Sequence, residues 1–233
     1  MRIYGHRGAR GEKAENTLSG FRHAIALGCD GIELDLQLSA DGRLMVIHDP
    51  TLERTTNGHG RVSDMDSAQL GALDAGDGDG VITIDALLDA CPELNYVQLE
   101  TKPVDAADVA TVGQALLNLF ATRTLDTIAT VTSFDRRLLA WLHEHAPAIA
   151  LGYVCETAGE NPFEFALTIN AKIVALDHNL ISADHPSQAR DNGMELSVWT
   201  VNQPEAALQL ASMGVDSIIT DVPTLMLSVF GRP

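Results

Sequence analysis

The stretch D-G-I-E-L-D-L-Q-L-S-A-D-G-R-L-M-V-I-H-D at 30–49 gathers two carboxylates and an imidazole, Glu33, Asp35 and His48. Apolar and polar residues alternate from Ile32 to Leu38, which predicts a half-buried strand. Asp41-Gly42 suits a two-residue hairpin turn, because both residues tolerate positive φ, and Leu44 to Ile47 then forms the return strand. With that turn Ala40 faces Arg43 and Asp35 faces His48, on one side of the hairpin. Glu33 shares that side, since alternate residues of a strand point the same way. Adjacent carboxylates repel and are expensive to bury unpaired. A divalent cation or a basic side chain must compensate. Oxygen-only ligands favour a hard ion, Mg²⁺ or Ca²⁺. An isolated E-x-D could instead face solvent and bind nothing; its neighbours favour the site.

Those neighbours lie at the ends of apolar strands. A first strand, Arg2 to Tyr4, runs into His6-Arg7-Gly8. Asn16 is a candidate N-cap for a helix carrying Phe21, Ala24 and Ile25 on one side. Residues of about 50–83 are polar, Gly- and Asp-rich and aperiodic, an insertion rather than core until a helix at Ile84 to Ala90. Strands are then expected at Tyr96 to Glu100, Ile128 to Thr132, Ile149 to Val154, Ile173 to Leu176, Leu196 to Val201 and Ser217 to Ile219, each followed by a helical segment. Eight such β/α units imply parallel strands with helices outside: an α/β TIM barrel, its second strand extended by the hairpin. An open doubly wound sheet is the alternative. The whole chain, 1–233, fits a single domain.

TIM barrels keep their chemistry at the C-terminal ends of the strands. Those ends carry His6 and Arg7, Glu33 and Asp35 with His48, Glu100 and Lys102, Trp199 and Asn202, and Asp221. Glu33, Asp35 and Glu100 with waters can hold one hard divalent ion. His6 and His48 can serve as general acid and base. Arg7 and Lys102 suit phosphate oxygens, Arg bidentately and Lys as a point charge. The set describes metal-assisted cleavage of a phosphodiester. Lys102 could instead pair with Glu100. Asn16 could be a cap or a polar contact in the site, and Trp199 core or a wall for the substrate's alcohol group. Glu15 suits orienting Arg7, and Phe134 suits packing. Asp77 and Asp79 fit a solvated turn, because no D-x-D-x-D-G with a distal Glu follows.

Composition narrows the partners. With 32 Asp+Glu against 15 Lys+Arg the net charge is −17, which disfavours nucleic acid and anionic membranes. The three cysteines form no C-x-x-C, and no run of 18 apolar residues occurs. A reduced, cytoplasmic, soluble protein without membrane insertion is the expectation.

H-R-G at 6–8, E-N-T at 15–17, E-L-D at 33–35, V-I-H-D at 46–49, P-T-L-E-R-T-T-N-G at 50–58, E-T-K at 100–102, S-F at 133–134, W-T-V-N at 199–202 and T-D at 220–221 follow one another in order. This ordered set resembles the glycerophosphodiester phosphodiesterase family over nearly the whole chain. The resemblance implies a TIM barrel that hydrolyses glycerophosphodiesters, such as glycerophosphocholine or glycerophosphoethanolamine, to sn-glycerol 3-phosphate and an alcohol. It implies His6 and His48 as the acid/base pair, Glu33, Asp35 and Glu100 as ligands of Mg²⁺ or Ca²⁺, and Arg7 and Lys102 near the phosphate. Alternatives are a TIM-barrel phospholipase acting on intact lipids and a non-catalytic relative that only binds. The chain departs from the pattern twice: Ala14 stands where Pro is usual, and Asp77-Gly78-Asp79-Gly80 replaces an aromatic-bearing segment.

Overall fold

The computed structural model describes residues 1–102 and 105–232. Its strands are β1 (Arg2–His6), β2 (Gly31–Leu38), β3 (Leu44–Val46), β4 (Val97–Thr101), β5 (Ala129–Ser133), β6 (Leu151–Cys155), β7 (Ile173–Asp177), β8 (Glu195–Trp199) and β9 (Ser217–Thr220). All but β3 pair in parallel, in the order β1-β9-β8-β7-β6-β5-β4-β2, and β1 also pairs with β2. That last pairing closes the sheet into an eight-stranded barrel, the expected TIM fold, and excludes the open sheet. Most strand ends fall one or two residues from their expected places.

Helices α1 (Leu18–Ala26), α2 (Ser67–Gly71), α3 (Ile84–Ala90), α4 (Val109–Thr122), α5 (Arg136–His145), α6 (Pro162–Thr168), α7 (His185–Asp191), α8 (Pro204–Met213) and α9 (Pro223–Val229) complete the described residues. The longest shows why the helices lie outside: α4 buries Val109, Val112, Leu116 and Leu119, spaced to form one stripe. The helices and the outward strand residues share one continuous apolar core. Among the described residues, no helix is long and apolar enough to cross a membrane.

The hairpin differs from expectation by one residue. Leu36 pairs with Val46 and Leu38 with Leu44, and the Ser39 N–H donates to the Arg43 carbonyl at 2.9 Å. The loop therefore spans three residues, Ala40 to Gly42, with Gly42 at φ 74°. Asp41 shapes it, accepting from Ser39 Oγ at 2.6 Å and from Ser67 N and Oγ. Asp35 consequently faces Ile47, whose N–H donates to the Asp35 carbonyl, and not His48.

The insertion is more than a polar excursion. Leu52, Val62, Leu70 and Val81 pack with Met45 and Ile47 in a small core of their own. Its apolar residues are too widely spaced for periodicity to reveal. A capping box between Asp66 and Gln69 starts α2.

Asp77 and Asp79 fasten this lobe to the loop after β1. Asp77 Oδ2 accepts from the Ala14 N–H at 2.9 Å, and Asp79 Oδ2 from the Ser19 N–H at 2.8 Å, in the first turn of α1. A Cβ on Gly76 would lie 2.8 Å from that of Ala14. The two departures from the family pattern thus touch: proline at 14 would have no N–H for Asp77.

Ala14→Pro is expected to lower stability by about 1 kcal/mol, the worth of the lost hydrogen bond, despite the entropic gain proline usually brings. In an Asp77→Ala background the same change should no longer destabilise. Urea melts of the four proteins in this double-mutant cycle measure it, and equal effects in both backgrounds would show that the bond contributes nothing.

Candidate active site

The loop after β1 is folded tightly against the barrel mouth. A side chain on Gly5 would collide with the Gly8 carbonyl oxygen, so the chain can double back immediately after His6. Arg7 and Asn16 both take left-handed backbone conformations, at φ 50° and 56°. Such conformations cost non-glycine residues about 1–2 kcal/mol. Hydrogen bonds hold them: the Arg7 N–H donates to Glu33 Oε2 at 3.1 Å, and the Asn16 N–H to the Arg7 carbonyl at 3.0 Å. Asn16 is therefore not the helix cap. Thr17, with extended φ and ψ, caps α1 by accepting from the Gly20 N–H. Freed from that task, Asn16 Nδ2 donates to Asp35 Oδ2 at 2.9 Å.

Glu33 and Asp35 point inward from β2, and Glu100 from β4, where Asp35 and Glu100 are partners in register. One oxygen of each lies within 4.8 Å of the others. Lys102 stands among them, 2.7 Å from Asp35 Oδ1 and paired with Glu100. Arg7 Nε approaches Asp35 Oδ2 at 3.2 Å, and its Nη1 donates to Glu15 Oε1 at 2.7 Å, so Glu15 orients Arg7 as expected.

The three carboxylates differ in their surroundings. Burial opposes the charge on Asp35, yet Lys102 and Arg7 outweigh it and hold its carboxyl below the usual range. Burial, reinforced by Asp35 and Glu100, drives Glu33 well above it. Burial also raises Glu100. Lys102 is pushed up to about 12, the carboxylates outweighing its burial. Glu33 Oε1 is buried with no hydrogen-bond partner. Three oxygen donors, one orphaned, and a surplus of buried negative charge fit a hard divalent cation.

Each histidine is gripped from behind by a carboxylate. His6 Nδ1 lies 2.6 Å from Asp221 Oδ1, and His48 Nδ1 2.5 Å from Asp49 Oδ1. In the neutral tautomer these bonds select, Nδ1 carries the proton and Nε2 faces outward with its lone pair. Burial lowers the pKa of both imidazoles despite these partners. Asp221, opposed by burial but bonded to His6 and Asn202 and beside Arg10, is held at about 2. Arg54 clasps Asp49 and Glu15 together, with contacts of 2.6 and 2.8 Å.

His48 reaches the site by another route than cross-strand pairing. β3 ends at Val46, the chain leaves the ladder, and Gln37 Nε2 donates to the His48 carbonyl at 2.9 Å. Asp221 was expected at the rim without a role, and Asp49, Arg54 and Arg10 were absent from the expected site. Asp49 was legible as the neighbour of His48; Asp221 was legible as a strand-end carboxylate in the unit that must close against β1.

A pocket of about 410 Å³ opens over these groups, lined by His6, Arg7, Glu33, His48, Glu100 and Lys102, and on its far side by Phe134 and Trp199. Trp199 is thus a pocket wall, and Phe134 shares it rather than only packing. A cavity of about 430 Å³ beside the hairpin contains none of the expected site residues.

Barrel and rim together define a class, the TIM-barrel hydrolases of phosphoric diesters. The chain belongs to the Glycerophosphoryl diester phosphodiesterase family, whose model matches residues 6–225. A glycerophosphodiester phosphodiesterase of Caldanaerobacter subterraneus subsp. tengcongensis is 30% identical over 235 residues, 97% of this chain and 96% of the relative. The crystal structure of glycerophosphodiester phosphodiesterase from Agrobacterium tumefaciens str. C58 superposes with a TM-score of 0.79 at 30% identity, covering 98% of this chain and 99% of that one. An Oleispira antarctica phosphodiesterase, in complex with the product sn-glycerol-3-phosphate, shares the fold with a TM-score of 0.91 at 24% identity, over 99% and 97% of the chains.

The strain at Glu33 has a measurable sign. Its folded pKa is raised above the unfolded value of 4.5, so stability is intact below that value and falls as pH climbs toward the folded pKa. With chelator present, Glu33→Gln should therefore melt like the wild type near about pH 4 and above it by at least about 3 °C near about pH 7, roughly 1 kcal/mol for a chain this size. A difference independent of pH would mean that the charge is not the source of strain.

Proposed function

We propose that the protein hydrolyses glycerophosphodiesters, including glycerophosphocholine and glycerophosphoethanolamine, to sn-glycerol 3-phosphate and an alcohol, with His6 and His48 as the acid/base pair. One observation carries this reading: two imidazoles, each backed by a carboxylate, flank a trio of acidic groups in one pocket. A site built only for binding needs no pair of oriented imidazoles.

Glu33, Asp35 and Glu100 would hold Mg²⁺ or Ca²⁺, which when bound supplies Lewis-acid polarisation of a phosphoryl oxygen. Arg7 and Lys102 add positive charge where the phosphate's negative charge concentrates. Asn16 steadies Asp35 through its amide. One histidine, neutral because burial lowers its pKa, takes a proton at Nε2 from the attacking hydroxyl. The other, entering as the imidazolium with a proton on each nitrogen, gives its Nε2 proton to the departing alkoxide, and the two rings exchange roles when water completes the reaction. The attacking hydroxyl is the substrate's own glycerol hydroxyl, giving a cyclic phosphate that water opens, or water directly. Asp221 and Asp49 keep each Nδ1 protonated and each ring turned to the pocket. Trp199 walls the alcohol side. The whole chain acts as one catalytic domain, and its unpaired, buried cysteines suit a cytoplasmic setting.

Glycerol 3-phosphate release from glycerophosphocholine should vanish on chelation and return with Mg²⁺ or Ca²⁺. His6→Ala and His48→Ala should each lower kcat by about 10²–10⁴-fold, and Asp221→Asn by at least about tenfold, with the fold retained by circular dichroism. Near-wild-type turnover in either alanine variant would sink the two-histidine scheme.

A further inference from the structure

Two of the groups that face the pocket are tied together by a side chain outside it. Arg54 does not line the pocket. It stands in the insertion, on a turn anchored by Leu52, which is buried in the small core there. The Leu52 carbonyl accepts from the Thr56 N–H at 3.1 Å and from Thr56 Oγ1 at 2.8 Å, fixing that turn. The Arg54 guanidinium spans two carboxylates. Its Nε donates to Asp49 Oδ2 at 2.6 Å, and its Nη1 to Glu15 Oε2 at 2.8 Å. Its Nη2 lies between and donates to both, to Asp49 Oδ1 at 3.0 Å and to Glu15 Oε1 at 2.9 Å. Those two oxygens are the ones already engaged with the pocket. Asp49 Oδ1 is the partner of His48 Nδ1, and Glu15 Oε1 accepts from Arg7 Nη1.

We infer that Arg54 is a positioning residue for the reaction, holding the His48 imidazole through Asp49 and the Arg7 guanidinium through Glu15. A carboxylate that meets one partner can swing about its own side-chain bonds. One gripped by two nitrogens of a planar guanidinium cannot, so the oxygen it offers to His48 or Arg7 stays in place. Arg54 above all holds Asp49 well below the usual carboxylate range. Burial opposes the charge on Glu15, yet Arg54 and Arg7 hold it at about 2. Both remain charged anchors. A lysine could not do the same, because a point charge lacks the two-edged fork that reaches four oxygens at once. The insertion thus serves catalysis without touching substrate. It fixes the spacing between a group that moves a proton and a group that meets the phosphate, and reaction rates are sensitive to such spacing.

This inference rests on the phosphodiesterase reading and adds a residue to its machinery. The readout is kcat and KM, taken separately, for glycerol 3-phosphate release from glycerophosphocholine by the metal-loaded enzyme. Asp49→Asn should act chiefly on kcat and Glu15→Gln chiefly on KM. Arg54→Ala should do both, lowering kcat/KM by about 10–100-fold, the range for removing a group that orients another. Arg54→Lys, which keeps the charge and can engage one carboxylate, should fall between, and it carries the test should the alanine variant fail to fold. In an Asp49→Asn, Glu15→Gln background neither change at Arg54 should cost more than about twofold, because the carboxylates through which it acts are gone. Wild-type kcat and KM in both Arg54 variants would overturn the assignment, and so would an undiminished loss in that background. Failure of the wild type to release glycerol 3-phosphate would instead overturn the reading beneath it.

Discussion

Repulsion among Glu33, Asp35 and Glu100 is the constraint around which the rest is arranged. Their oxygens lie within 4.8 Å of one another at the mouth of an apolar barrel, where each charge loses most of its hydration. Nearly every unusual local feature answers that crowding. The strained backbone at Arg7 directs one N–H at Glu33 and one guanidinium at Asp35. The strained backbone at Asn16 delivers an amide to Asp35. Lys102 places its ammonium between Asp35 and Glu100. The compensation is uneven. Asp35 has Lys102, Arg7 and Asn16 close about it, while Glu33 keeps one oxygen with neither a hydrogen bond nor a cation. That imbalance destabilises the metal-free fold and favours a cation, the trade between stability and function common at active sites.

Around this centre the charges form a chain rather than a cluster. His48 leads to Asp49, Asp49 to Arg54, Arg54 to Glu15, and Glu15 to Arg7. The insertion supplies Arg54 and so joins the loop after β1 to the segment after β3. Asp77 and Asp79 make the same junction from the outside, through main-chain N–H groups. The lobe in relatives is expected to bring an aromatic segment here. This chain brings two carboxylates, and Ala14 in place of proline supplies the donor that one of them needs.

The fold was legible because eight apolar strand segments alternate with helical segments in a regular rhythm. The acidic trio was legible because Glu33, Asp35 and Glu100 all fall at the ends of such strands. The hairpin register was not. Asp-Gly points to a two-residue turn, but Ser39 and Ser67 enlist the Asp41 side chain and stretch the loop to three. That one-residue slip alone would have turned His48 away from the site. It arrives only because the strand stops at Val46, a boundary that no local pattern marks. The partners of the two histidines were missed for different reasons. Asp49 stood beside His48 in the sequence but was given no role. Asp221 lies 215 positions from His6, and its meaning emerges only when the barrel closes.

That closure joins β1 and β9, far apart in sequence, at the site. His6 ends β1, and Asp221, which orients it, follows β9. Arg232 ties the same seam from beyond, reaching Asp30 and the Gly28 carbonyl, while Asp30 Oδ2 accepts from the Ile3 N–H. A growing chain can therefore display the acidic trio, drawn from its first half, well before it can orient His6. Competence is withheld until β9 and Asp221 have been made, and a product cut before them carries the trio without the imidazole geometry that would make it active.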